Sequence, residues 1–137
     1  MIMNPMMKNV LGPVIGLLLG MLTNIGLILL FLQIFPLPEG VELKQESLDA
    51  HIQSFEWEHF IAPFLGHAGG TFAGAWVACR MMEKKQWLGA VIIGSFFLLG
   101  GIMEVGARET PLWFAILDIG LAYLPMSWLG FLLAKNA

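Results

Sequence analysis

Four apolar runs, Val10 to Phe35, Phe60 to Met82, Trp87 to Val105 and Leu112 to Leu133, take up most of this sequence. About 20 residues of helix cross the roughly 30 Å of hydrocarbon in a bilayer. Within that layer each backbone N–H and C=O must be paired inside the protein, so isolated apolar runs of this length solve the problem as helices. The predicted fold class is therefore an all-α membrane protein, a four-transmembrane-helix bundle forming one membrane domain over residues 1–137. Little chain remains for a soluble catalytic domain. Composition agrees: 12% of residues are charged, against about a quarter in a soluble domain. The first run follows Lys8 as a signal peptide would. It is far longer than the usual apolar core of about 7–15 residues, and no small-residue cleavage site follows, so a retained helix is expected.

Orientation is read from Lys and Arg, which accumulate on the cytoplasmic side in short loops. Lys8, Arg80, Lys84, Lys85 and Lys135 fall on one side of the four spans, and Lys44 and Arg108 on the other. Both termini are thus expected in the cytoplasm and the 36–59 loop outside. Six of the ten acids, Glu39, Glu42, Glu46, Asp49, Glu56 and Glu58, lie in that loop, which accounts for the net charge of -3. Trp57, Trp87, Trp113 and Trp128 stand near span boundaries, where amphipathic rings are favoured, while Trp76 lies deeper. The scattered basic residues form no stripe suited to phosphates, so nucleic acid is not an expected partner.

Within the outer loop, Leu48, Ile52 and Phe55 recur at helical spacing after a possible cap at Ser47. A short amphipathic outer helix is predicted, lying either on the membrane surface or as a lid on the bundle. The short connections at Glu83–Gln86 and Gly106–Pro111 make the second and third, and the third and fourth, spans antiparallel neighbours.

Small residues recur every four positions. Gly12, Gly16 and Gly20 lead to Asn24 in the first span, and Ala62, Gly66, Gly70, Gly74 and Ala78 form a row in the second. Such rows let helix backbones approach closely where lipid offers little hydrophobic drive. Helix packing is accordingly expected at Gly16, Gly20, Gly66, Gly70 and Gly74. Helix sliding in a transporter is the alternative use. Pro13-x-x-Gly16-x-x-x-Gly20 also resembles Pro63-x-x-Gly66-x-x-x-Gly70, a faint inverted repeat.

Ionisable groups in hydrocarbon are costly and normally face a partner inside the bundle. At about 1.5 Å per residue, His67 lies about 10 Å deep and Asp118 about 9 Å deep from the outer boundary. Glu104 lies close to the outer surface. A polar intramembrane cluster of His67, Asp118, Glu104, Asn24 and Thr71 is expected, with Tyr123 as neutral company. The first two would stabilise each other's charges or share a proton. Either they glue two helices, or they serve a proton, ion or ligand. Glu104 and Arg108, four apart, suit an ion pair at a helix end.

No catalytic residues, metal or cofactor are expected. Glu56-x-x-His59 has a spacing used by di-iron bundles, but the second pair and the extra carboxylates such a centre needs are missing; with His51 nearby, only a surface metal site is conceivable. Cys79, the single cysteine, cannot form an internal disulfide and suits close packing.

The segments Gly66-His-Ala-Gly-Gly-Thr-Phe-Ala-Gly-Ala75, Gly94 to Gly101 and Leu121-Ala-Tyr-Leu-Pro-Met126 resemble those of a family of small four-helix bacterial inner-membrane proteins of uncharacterised function. The resemblance covers the last three helices. It implies a bacterial inner membrane and carries over no site residues. The leading function class is a non-enzymatic multi-pass membrane protein, either an accessory subunit or a self-assembling helical bundle. Its partners would be membrane lipid and either further copies of itself or a larger membrane complex. The alternative is a small transporter or proton-linked conduit using His67 and Asp118. An intramembrane enzyme ranks third, because no nucleophile and base stand at recognisable spacing.

Overall fold

The computed structural model describes residues 3–137. It is helical, with no strand among those residues: α1 (Pro5–Phe31), α2 (Gln45–His51), α3 (Ile61–Met81), α4 (Trp87–Ala107), α5 (Leu112–Leu121) and α6 (Leu124–Lys135), with short 3-10 turns at Ile52–Ser54 and Trp57–Phe60. Helix α1 begins at Pro5 because Asn4 caps it, its side chain accepting from Met6 N, and proline suits the first helical position. It stops at Phe31, short of the predicted Phe35. The residue before Pro36 is pushed out of helical geometry, and the chain turns over residues 32–34.

Helices α1, α4 and the α5–α6 pair are long and apolar enough to cross a membrane. The second predicted span, α3, has 21 residues like α4. It is less apolar because Gly, Ala, His67 and Thr71 fill it, and it is the helix most enclosed by others. Ala62, Gly66, Gly70, Gly74, Ala75, Ala78 and Cys79 are all buried. A helix surrounded by helices needs small residues more than greasy ones.

Contacts between α1 and α3 run in antiparallel register. A Cβ on Gly16 would lie 2.5 Å from Gly74 O, one on Gly20 2.8 Å from Gly70 O, and one on Gly66 3.0 Å from Asn24 O. Exchanging the two helices maps the Gly16–Gly74 contact onto Asn24–Gly66 and leaves Gly20–Gly70 in place, so the repeat seen in the sequence is a local two-fold relation. Asn24 stands where Gly74 stands on the other helix. On its other sides α3 receives Gly89 of α4 at Cys79 and Gly130 of α6 at Phe72 and Trp76.

Two sets of contacts close the ends. At one end Lys8 pairs with Glu83, and Asn9 Oδ1 accepts from Glu83 N at 3.0 Å and Lys84 N at 3.3 Å, tying the α3–α4 turn to α1. At the other, the 36–59 connection folds over the bundle as a cap. Ile52, Phe60 and Phe114 form a buried cluster, with the Phe60 and Phe114 rings 4.5 Å apart. Helix α2 has no buried residue of its own; Ile52, directly after it, anchors it to the bundle as a lid would be. Ser47 does not cap it as expected; Lys44 holds the N-cap position, and Ser47 Oγ instead accepts from Glu42 N at 3.0 Å.

The fourth predicted span is not one continuous helix. Pro125 lacks an N–H and its ring collides with the carbonyl four residues back, so α5 ends at Leu121 and α6 restarts at Leu124. Tyr123, between them, takes φ -111 and ψ -80.

Candidate functional site

That break shapes the polar cluster. On a straight helix, residues five apart point about 140° from one another at about 100° per residue. With the backbone bent at Ala122–Tyr123, both Asp118 and Tyr123 reach the same place. Tyr123 Oη donates to Asp118 Oδ2 at 2.8 Å, and His67 Nδ1 on α3 lies 2.9 and 3.0 Å from the two Asp118 oxygens. Tyr123 Oη is also 3.2 Å from His67 Nδ1, and the rings stack with centroids 5.8 Å apart. Asp118 and Tyr123 are each 2% exposed. A buried carboxylate without such donors would carry a heavy desolvation cost; here two donors from two elements meet it.

A carboxylate only accepts, so in the neutral imidazole the proton sits on Nδ1 and Nε2 carries the lone pair. Nε2 has no hydrogen-bond partner among the described residues, yet it is not sealed off: the His67 side chain is 22% exposed. Two hollows meet at this ring. One, of about 150 Å³, lies beneath the cap between Leu48, Ile52, Phe60 and Phe114. The other is a cleft of about 380 Å³ between α1 and α4, bounded by Asn24, Ile28, Gly100 and Glu104.

The remaining expected cluster members take other roles. Thr71, fully buried, donates its hydroxyl to His67 O at 2.7 Å on its own helix and does not join the pair. Asn24 Oδ1 is buried against Gly66 without a hydrogen-bond partner. Glu104 borders both hollows but makes its ion pair with Arg108, at 3.1 Å. Arg108 does more than end its helix: its Nε lies 3.1 Å from Asp49 Oδ1, placed for charge attraction rather than an aligned hydrogen bond, and Nη2 donates to Gln45. Gln53 likewise donates to Glu109 O. These contacts latch α2 and its 3-10 turn onto the α4–α5 connection.

Gly101 shows how tight the cluster is. A Cβ there would lie 2.5 Å from Tyr123 Oη, so only glycine lets the phenol sit beside α4. The role of Tyr123 could have been anticipated from Pro125, because a proline two residues on signals a break that turns the side chain. In the cap, the Glu56-x-x-His59 spacing serves a turn: Glu56 N donates to His59 Nδ1 at 2.9 Å, while His51 Nδ1 is 2.7 Å from Ser47 O. Comparison with known families, curated proteins and solved structures finds no match.

Proposed function

We propose that this chain is a four-span protein of a bacterial inner membrane, with α3 crossing it alongside α1, α4 and α5–α6 and both termini cytoplasmic, and that it binds a small ligand at His67. One observation carries the reading: Asp118 and Tyr123 hold one side of the imidazole while Nε2 is left unpaired where two hollows meet. Fixing one ring nitrogen through a buried carboxylate orients the other for use.

The alternatives drawn from the sequence explain less. A purely structural pair, in an accessory subunit or self-assembling bundle, has no need of an open nitrogen and would gain from being packed over. A proton-linked conduit needs a continuation toward the other end. There Ala75, Ala78, Cys79, Ala90 and Ile93 are almost wholly buried, and Gly16 presses on Gly74. The site is one-ended in a single copy. Binding is favoured over bond breaking because the nearby Thr71 hydroxyl is committed to a backbone carbonyl.

Carbethoxylation by diethyl pyrocarbonate, read by mass spectrometry on protein in lipid nanodiscs, tests this. His67 is expected to react, with the exposed His51 as the internal reference and the half-buried His59 as a second one. An unreactive His67 beside reactive references refutes an open binding nitrogen.

A further inference from the structure

We infer that the ligand at His67 is a bilayer-dissolved amphiphile with an uncharged phenolic or hydroquinone head, entering sideways between α1 and α4. The inference rests on the reading of His67 as a binding atom. It concerns what the atom binds and by which route.

The head group follows from what surrounds Nε2. An unpaired lone pair calls for a hydrogen-bond donor. An anionic head is opposed by Asp118, which faces this space, while Glu104 and Arg108 cancel each other. A cationic head would be stripped of water among Ile28, Phe96 and Phe97 with no free carboxylate to pair with, Asp118 being held by His67 and Tyr123. What remains is a neutral O–H. Its framework follows from the rings at hand: Tyr123 stacks on His67, and Phe97 borders the cleft. A flat aromatic head is matched to such walls, and a phenolic hydroxyl is a stronger donor than an alkanol. Only binding is inferred, with no transfer of electrons.

The route follows from where the hollows lead. Toward the cap, Arg108 with Asp49 and Gln45, and Gln53 with Glu109, tie the lid down. Between α1 and α4 there is close contact at Gly20, where an added Cβ would lie 3.1 Å from the Phe97 ring. Beyond it toward the cap the helices leave the cleft, and a Cβ on Gly100 would meet nothing within 4 Å. The flanking Leu22, Ile25, Leu99 and Met103 are 55% to 66% exposed, the apolar surface a spanning helix presents to lipid chains. An apolar tail can leave there without meeting water.

The test uses the full chain in nanodiscs and follows protection of His67 from carbethoxylation. Decylhydroquinone is expected to protect His67 at concentrations roughly tenfold lower than its dimethyl ether, which keeps shape and tail but cannot donate. Gly100→Trp, which has room to fold, is expected to fill the cleft and abolish that protection with unchanged melting. Equal protection by the ether overturns the donor head. Equal protection by tail-less hydroquinone at the same concentration, or full protection in a Gly100→Trp variant that folds, overturns the lateral route. If His67 reacts and decylhydroquinone gives no protection, this inference falls while the binding nitrogen stands. If His67 never reacts, the underlying reading falls first.

Discussion

Replacing Gly74 by alanine separates close packing from mere composition. The added Cβ would lie 2.7 Å from Gly16 O, 3.2 Å from Gly20 Cα and 3.3 Å from Ile93 Cγ2. The first distance is about 0.7 Å inside the 3.4 Å at which ordinary contact begins, and the atom it meets is backbone, which cannot swing aside. Overpacking of this kind costs about 1–3 kcal/mol, against which alanine returns at most about 1 kcal/mol of helix propensity. A net loss of up to about 2 kcal/mol follows. Gly26→Ala is the matched control, since a Cβ there meets nothing within 4 Å; it should be neutral or gain up to about 1 kcal/mol. Unfolding in mild detergent, followed by circular dichroism with increasing denaturing detergent, measures both. Opposite signs are expected. Equal stability of the two variants would mean that α1 and α3 do not meet along this row, and the register built on Gly16, Gly20, Gly70 and Gly74 would fall with it.

Asp118→Leu leaves the Tyr123 hydroxyl and the His67 ring without their acceptor and should cost about 1–3 kcal/mol, whereas Asp118→Asn keeps one carbonyl acceptor and should cost less; the same detergent unfolding compares them, and equal losses would contradict a hydrogen-bonded core. Arg108→Ala should free the cap, exposing residues 45–54 to limited proteolysis while lowering stability by at most about 1 kcal/mol, as for partly exposed ion pairs; an unchanged digestion pattern would show that the Phe60–Phe114 cluster holds the lid alone. On the proposed orientation, single cysteines at Glu46 and Glu109 should be labelled from the periplasm and one at Lys84 only after permeabilisation, and periplasmic labelling at Lys84 would overturn it.

Much of this molecule could be read along the chain because a bilayer leaves few choices. Apolar length dictates helices, and small residues four apart mark where backbones touch. The row from Gly16 to Asn24 and that from Gly66 to Gly74 meet in the structure residue against residue. Counting depth along two helices was enough to set His67 level with Asp118, since the rise per residue is fixed. Depth, however, says nothing about direction around the helix axis. Only the tertiary structure decided that Thr71 turns to its own backbone, that Glu104 goes to Arg108, and that Tyr123 joins Asp118 across a break made by Pro125. The cap was beyond the sequence for a related reason. Its amphipathic spacing is equally suited to a membrane surface or to a protein one, and the choice rests on contacts between residues far apart in the chain, Arg108 with Asp49 and Phe60 with Phe114, that no local pattern encodes.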